Sequence, residues 1–363
     1  MDLTFFIGSL SGGGAEKVAC YLASYLSDKQ HHITILTMDD GAPQYQLSDN
    51  ISIVPLITRD ERKGFLYNMI LRMRRFRNYL MTTETDGYIV FLPILIILSL
   101  FFRRFSKSPM IMAERNMPSQ YSSYKRFFLK RFWKKADAWC FQTEEQLNWY
   151  PKGMLQLPTC VIPNAINQDI NFDNNEVGIK KEIVSAGRLT NQKNQILLIK
   201  AFKEISSKNP DYTLVIYGKG PLRDVLSEEI HKLGLENRVI LYGHCNDVIE
   251  KIKSAEMFVL SSEFEGMPNA LMEAMALGLP CISTDCEGGG AKFLIKNNEN
   301  GILVPRHNVK ALAEAMQRLI ENKEFASHIG GKAKEIRCRL APDVIYSQWE
   351  SFIKNICHDP KTN

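Results

Sequence analysis

Two glutamates eight residues apart, Glu265 and Glu273, lie in the run Ser261-Ser-Glu-Phe-Glu-Gly-Met-Pro-Asn-Ala-Leu-Met-Glu273-Ala-Met-Ala-Leu-Gly-Leu-Pro280. Paired carboxylates accept hydrogen bonds from several hydroxyls at once, and a sugar or a ribose supplies such hydroxyls. Spacing alone does not single out the pair, because Glu228 and Glu236 repeat it elsewhere. Context does. The apolar run Met257 to Leu260 reads as a buried parallel strand, Pro268 fits the first helical position, and Gly278 with Pro280 fits the stop. Glu265 is therefore expected on the loop at the strand's carboxyl end and Glu273 about one turn into the following helix. Open α/β sheets bind their ligands in the crevice outside those strand ends.

Cations are offered by a second strand-to-helix turn, Glu182-Ile-Val-Ser-Ala-Gly-Arg188-Leu-Thr-Asn-Gln-Lys193-Asn194. Arg188 and Lys193 read either as a solvated basic loop or as fixed charges beside a diphosphate, where they would neutralise charge developing on a leaving group. Near the start, Gly8-Ser-Leu-Ser-Gly-Gly-Gly-Ala-Glu-Lys17 leaves the backbone bare from Gly12 to Gly14 at a helix N-terminus. This is a tight turn or a cradle for a phosphate or sugar. It matches neither Gly-x-x-x-x-Gly-Lys-Ser/Thr nor Gly-x-Gly-x-x-Gly, so ATP and NAD lose support. Val215-Ile-Tyr-Gly-Lys-Gly-Pro221, Leu241-Tyr-Gly-His-Cys-Asn-Asp247 and Asp285-Cys-Glu-Gly-Gly-Gly290 are further strand-end loops. Within them His244 is either incidental or placed to touch a base or phosphate, and the last segment reads as a flexible loop.

The elements that must position these residues alternate. Strands are predicted near 2–7, 32–38, 51–54, 87–91, 109–113, 138–141 and 160–162, with helices near 14–28, 64–81, 93–103, 121–135 and 143–150. A polar, Asn-rich stretch, 164–181, reads as a linker. Strands then follow near 182–187, 212–217, 238–241, 256–261, 280–283 and 301–304, with helices near 192–208, 220–232, 247–253, 268–277, 308–321, 323–337 and 343–357. This order predicts α/β architecture: two doubly wound, Rossmann-like domains, 1–163 and 182–342, facing a deep cleft. A length of 363 residues fits two domains.

Composition is that of a soluble globular chain, 45% hydrophobic and 23% charged. Met1-Asp-Leu-Thr-Phe-Phe-Ile-Gly lacks the basic start of a signal peptide and reads as a strand. Eight scattered cysteines form no Cys-x-x-Cys pair, which argues for reduced thiols in the cytoplasm and against structural zinc. No Asp-x-Asp ends a suitable strand, so neither a metal nor a cofactor is expected.

Charge is uneven. Residues 1–165 hold 20 Lys+Arg against 14 Asp+Glu, and 101–135 holds ten bases and one acid, Glu114. Basic residues interleaved with Phe and Trp read as an anionic-membrane surface, a nucleic-acid surface, or a solvated helix whose aromatics face the core. The membrane reading is preferred and nucleic acid is set aside; Arg103, Arg104, Arg126, Lys130, Arg131 and Lys134 would make the contact. The apolar run Ile89 to Phe102 contains Pro93 and is too short to span a bilayer, which needs about 20 residues.

The order of these motifs, a glycine loop, Gly-Arg-x4-Lys, Gly-x-Gly-Pro, Gly-x-x-x-Asp and then the spaced glutamates, resembles the retaining glycosyltransferases of family 4, which have the GT-B fold. The likeness covers nearly the whole chain and is strongest from Ser185 to Pro305. It implies that Arg188 and Lys193 hold the donor diphosphate, that Glu265 bonds hydroxyls of the transferred sugar and that Glu273 bonds the ribose. It further implies that Met267, Pro268, Asn269 and Ala270 contact phosphates and sugar, that His244 lies at the base, and that Gly12, Gly13 and Gly14 close over the diphosphate near the acceptor. The final helix, 343–358, resembles the one that crosses back to the first domain in this fold. Ala113-Glu-Arg-Asn-Met-Pro118 resembles members that build bacterial surface glycans on lipid carriers. Many members place a histidine in this first-domain region; here either Glu114, Arg115 or Asn116, on the acceptor side, takes its place in contacting the donor sugar, or the detail differs.

The resemblance implies transfer of a hexose or N-acetylhexosamine from a UDP-sugar to a lipid-linked or saccharide acceptor, with retention and without a metal, on the inner face of the cell membrane. Two alternatives stay open: a non-catalytic subunit of the same fold, which would lack the charged contacts, and a nucleotide-sugar 2-epimerase.

Overall fold

The computed structural model describes residues 1–10, 13–44, 47–168, 170–172 and 178–358. The chain forms two compact units, one of residues 1–165 together with 343–363, the other of 166–342.

In the first unit the elements are β1 (Asp2–Ile7), α1 (Gly14–Asp28), β2 (His32–Thr37), β3 (Ser52–Pro55), α2 (Phe65–Thr82), β4 (Gly87–Phe91), α3 (Pro93–Phe102), β5 (Met110–Ala113), α4 (Ser123–Phe132), β6 (Ala138–Phe141), α5 (Glu144–Trp149) and β7 (Thr159–Val161). All strands are parallel, in the order β3-β2-β1-β4-β5-β6-β7. Strands buried on both faces need near-continuous apolar sequence, and Phe5-Phe6-Ile7, Tyr88-Ile-Val-Phe91 and Met110-Ile-Met-Ala113 supply it. Side chains alternate across the sheet. Phe6, Leu36, Tyr88, Val90, Met112, Trp139 and Phe141 therefore face one way, into a core closed by Phe76 and Leu80 of α2, Ile96 and Leu100 of α3 and Leu129 of α4.

In the second unit the elements are β8 (Lys180–Ala186), α6 (Gln195–Ser206), β9 (Thr213–Tyr217), α7 (Arg223–Lys232), β10 (Val239–Gly243), α8 (Val248–Ile252), β11 (Ala255–Leu260), α9 (Asn269–Leu277), β12 (Cys281–Thr284), α10 (Gly290–Leu294), β13 (Ile302–Val304), α11 (Val309–Glu321), α12 (Lys323–Ala333) and α13 (Ile336–Arg339). Its parallel order is β10-β9-β8-β11-β12-β13. In doubly wound sheets of this order the winding direction reverses between the first and fourth strands, here β8 and β11, and the loops leaving those strands diverge. Those are the loops that carry Arg188, Lys193 and Glu265.

The last helix, α14 (Pro342–Cys357), packs within the first unit. Trp349 is fully buried, its ring 6.3 Å from that of Phe91, and Tyr346 lies 5.3 Å from Tyr25. Full burial of large side chains of this kind contributes about 1.5–3 kcal/mol each.

In the segment read as a linker, Asn164, Ile166 and Ile170 are buried, and the Ile166 N–H donates to Leu340 O at 2.9 Å. Asn174 and Asn175 lie outside the described residues. The glycine loop 285–290 runs into a helix, α10. The single helix expected over 323–337 ends at Ala333, and a separate short turn begins at Ile336.

Candidate active site

The site is built on the two loops at the reversal point of the second sheet. After β8 the chain makes Gly187-Arg188-Leu189 and a tight turn to Asn194, which caps α6 with its side chain on the Leu197 N–H at 3.3 Å. Arg188 is exposed, while its backbone is pinned. The flanking Gly187 and Leu189 N–H groups donate to Tyr217 O and Lys219 O, and Gln195 Nε2 donates to Arg188 O at 3.0 Å. Lys193 returns over Gly187, where a Cβ would stand 3.0 Å from the lysine Cε, so glycine is what lets this stem lie flat.

After β11, Ser261 and Ser262 are buried and Glu265 is only 7% exposed. Lys193 Nζ lies 2.6 Å from Glu265 Oε1, and Ser262 Oγ donates to the same oxygen at 2.7 Å. One carboxylate oxygen is thus committed to fixed donors, an orientation that a solvated loop glutamate lacks. Ser261 Oγ donates to Lys193 O at 2.9 Å, tying the lysine's own backbone to this loop.

The glycine loop closes the third side. The Glu265 N–H donates to Glu287 O at 2.8 Å and the Glu287 N–H to Glu263 O at 3.1 Å. A Cβ on Gly290 would collide with Gly266 O, so α10 starts against the Glu265–Gly266 backbone only because that residue is glycine. Arg306, just past β13, joins the two loops: its Nη1 donates to Glu287 Oε1 at 2.9 Å and to Glu263 O at 3.3 Å, and the Glu287 bond raises the arginine pKa further. Burial, with the Glu265 charge nearby, pushes the Cys286 thiol up to about 12, which removes it as a nucleophile.

Pro268 stands one residue earlier than expected, as the N-cap of α9, and makes no side-chain cap. Met267 and Pro268 are buried, Asn269 and Ala270 are half-buried in the first turn, and Glu273 is half-buried in the second. The first-turn N–H groups of a helix point out of its start with a partial positive charge. His244 is exposed just beyond β10.

The second unit thus gathers Lys193, Glu265, the start of α9 and the glycine loop around one strand-end crevice, with Arg188 on its β8 rim. Sequence reasoning passed over Glu263, Asn194, Arg306 and Glu287. The available signal was Asn194 directly before a helix, an N-cap pattern.

In the first unit several of the residues singled out by sequence are engaged within the fold. Glu114 is fully buried: Oε1 accepts from the Arg115 and Asn116 N–H groups at 3.1 and 3.3 Å and from Tyr121 Oη at 2.6 Å, and Oε2 accepts from Tyr150 Oη at 3.0 Å. Burial raises its pKa despite these bonds. Arg115 is also buried, its Nη1 on Ile162 O at 3.1 Å and its guanidinium 4.8 Å from the Trp349 ring. Both hold the interior of the unit, and only Asn116 of the three is exposed. Arg103 is likewise engaged: it forms a two-pronged pair with Asp137, at 2.8 and 2.9 Å, and bonds Ser106 O. Arg104, Arg126, Lys130, Arg131 and Lys134 are exposed. At the first glycine loop, the Glu16 carboxylate folds back against Gly13, and Gly14 opens α1; Gly12 lies outside the described residues. Among the described residues no cluster of three or more His, Cys, Asp or Glu could hold a metal, and no helix is long and apolar enough to cross a membrane.

Comparison with known proteins identifies the family. The model of "Glycosyltransferase Family 4" matches residues 12–170 and that of "Glycosyl transferases group 1" matches 167–336. Similar in sequence along almost its whole length is a Campylobacter jejuni alpha-1,4-N-acetyl-D-galactosaminyltransferase acting on a diphospho-undecaprenol-linked saccharide, 27% identical over 98% of this chain and 99% of that one. A second C. jejuni enzyme, an N-acetylgalactosamine-N,N'-diacetylbacillosaminyl-diphospho-undecaprenol 4-alpha-N-acetylgalactosaminyltransferase, is 28% identical over 92% and 93%. An uncharacterized glycosyltransferase of Methanocaldococcus jannaschii is 32% identical over 63% of this chain, which spans 61% of the relative's length. Among solved structures, Anabaena HepE in complex with UDP-glucose superposes with a TM-score of 0.80 at 20% identity, over 98% of this chain and all of that one. The fold agrees throughout, and the two matched models together run from residue 12 to residue 336. The chain belongs to the group 1, family 4 glycosyltransferases, retaining hexosyltransferases of the GT-B fold.

Proposed function

We propose that this enzyme transfers a hexose or N-acetylhexosamine from a UDP-sugar to an undecaprenol-linked or other saccharide acceptor during bacterial surface-glycan synthesis. The observation that carries the proposal is the 2.6 Å Lys193–Glu265 pair at the reversal point of the second sheet, with Arg188 exposed on the adjoining loop. Names of full-length relatives supply the acceptor class and the N-acetylgalactosaminyl chemistry.

In this reading Arg188 and Lys193 bind the diphosphate, and the first turn of α9, from Met267 to Ala270, meets phosphate and sugar. Glu273 accepts from the ribose hydroxyls. Glu265, one oxygen held by Lys193 and Ser262, offers the other to the sugar. His244 stands at the base, Gly13 and Gly14 close over the diphosphate, and Asn116 belongs to the acceptor side. The bond from the anomeric carbon to the diphosphate oxygen lengthens and breaks, and charge grows on that oxygen where the two cations stabilise it. The acceptor oxygen bonds the anomeric carbon from the same face, and its proton passes to the departing phosphate oxygen. No enzymic nucleophile takes part, which suits a glutamate already occupied by a lysine.

The first unit offers a surface for the lipid carrier. Helices α2, α3 and α4 cover one face of the first sheet and turn Phe65, Leu66, Ile70, Phe101, Tyr124 and Phe127 outward. From 65 to 135 the chain holds 14 Lys+Arg and three Asp+Glu. Exposed apolar side chains among bases match an anionic leaflet, on which the enzyme would sit at the cytoplasmic side.

Thermal unfolding with saturating UDP, GDP, ADP or NAD in turn tests the donor assignment. A ligand at 100 times its Kd adds about 2.7 kcal/mol to the native state. A shift with UDP, absent in Glu273→Ala, is the expected result; a shift with GDP alone changes the donor, and none with any nucleotide removes the proposal.

A further inference from the structure

Two residues with left-handed backbone converge on one carboxylate that the proposed chemistry does not use. Asn194 (φ 43°, ψ 50°) precedes α6, and His307 (φ 57°) follows β13. Neither is glycine, although Asn and His are among the residues that take this conformation most readily. Both side chains end on Glu263: Asn194 Nδ2 donates to Oε1, and His307 Nε2 lies 3.0 Å from Oε2.

The backbone of Glu263 is tied as firmly. Its N–H donates to Gln192 O at 2.8 Å, and Gln192 Nε2 donates to Phe264 O at 3.0 Å. Its carbonyl receives Glu287 N–H and Arg306 Nη1. Residues 192–194 and 263–265 are therefore laced rung by rung, and the Lys193–Glu265 pair is the one rung made by two flexible charged side chains. A lysine on a four-carbon stem does not fix its own position. The rungs on either side do so.

We infer that Glu263 is a positioning residue: by clamping Asn194 on one side and His307 on the other, it sets where Lys193 and Glu265 meet. The inference rests on the donor roles assigned above to that pair. A misplacement of about 1 Å at a reacting centre can cost roughly 100-fold in rate, so a residue that touches no substrate acquires leverage here.

The test uses the full chain with Glu263→Ala and with Glu263→Gln, which keeps an acceptor for Asn194. The first readout needs no substrate. Acylation of Lys193 by an amine-reactive ester is followed by peptide mass spectrometry, with exposed Lys310 as internal reference. In Glu263→Ala, labelling of Lys193 rises about two- to fivefold, the range a weakened, partly exposed ion pair gives; in Glu263→Gln it returns to nearly the parent rate. The second readout is turnover of UDP-sugars. Glu263→Ala lowers kcat by about tenfold or more, yet adds almost nothing when Glu265 is already alanine. His307→Ala removes one arm from an exposed position and gives a smaller effect of the same sign, which keeps the test open if Glu263→Ala does not fold. Unchanged Lys193 labelling, or an equal loss of turnover with and without Glu265, overturns the inference. If the parent enzyme turns over no UDP-sugar, the donor assignment falls, while labelling still decides the positioning role.

Discussion

Lys193 Nζ and Glu265 Oε1 lie 2.6 Å apart across 72 residues of sequence, joining the loop after the first strand of the second sheet to the loop after its fourth. In the proposed division of roles Glu273, in the second turn of α9, serves the ribose instead. Glu265→Ala removes hydrogen bonds to the sugar and leaves Lys193 without its carboxylate. Charged hydrogen bonds contribute about 1.5–3 kcal/mol each, so turnover falls roughly 10- to 100-fold while UDP affinity changes little. Glu273→Ala does the reverse and weakens UDP by a similar factor. Calorimetry with UDP beside steady-state kinetics separates the two; small, equal effects would refute the division.

Glu114 supports the first unit from within. Its four donors converge on a buried carboxyl group, and Glu114→Ala strands them at a cost of about 1–3 kcal/mol or more. Because burial raises its pKa in the folded state, the native protein binds this proton more tightly than the unfolded chain does. This group's contribution is therefore greatest below the ordinary carboxylate pKa and declines as pH rises toward the elevated folded value. Denaturant melts of the parent and Glu114→Gln across that window check the sign: the stability difference between them shifts toward Gln as pH rises.

The exposed bases of α4 and the turn after it give a membrane test free of the donor site. Replacing Lys130, Arg131 and Lys134 by alanine removes about 1 kcal/mol each of attraction to an anionic leaflet, so partitioning onto phosphatidylglycerol vesicles drops roughly 100-fold. Flotation on neutral vesicles is the control. Arg103→Ala belongs to a different class: it frees Asp137, which also accepts the Met110 N–H at 2.7 Å, and lowers stability rather than lipid binding.

Trp349 anchors α14 to the first unit between Phe91 and Arg115. Trp349→Ala opens a cavity there and costs about 3–5 kcal/mol. Urea unfolding followed by tryptophan fluorescence measures this; a loss below about 1 kcal/mol would show that the helix is held elsewhere.

The strands were legible because a parallel sheet covered on both faces needs unbroken apolar segments, and Met257 to Leu260 or Tyr88 to Phe91 have no other plausible use. The glutamate pair was legible because strand, turn and helix signals surround it. What stayed hidden depends on partners distant in sequence. Glu114 looks like any charged residue until Tyr121 and Tyr150 seal it, and Arg103 looks like a surface base until Asp137, 34 residues on, meets it. Helix α10, just beyond the glycine loop, was missed: the close approach to Gly266 O that demands glycine at 290 seats the helix, and that contact arises only on folding. Glu263 could not be told from its neighbours, because Asn194 and His307 reach it only after folding.

The first unit is discontinuous, with its last helix encoded nearly 180 residues after the rest. At about 5–20 residues per second, roughly 10–35 s of translation separate β7 from α14. Throughout that interval the nascent first sheet carries an apolar face, around Phe91, that lacks its native cover, while the whole of the second unit is synthesised. The earlier-encoded unit therefore cannot complete its core until a helix made after the second unit reaches it.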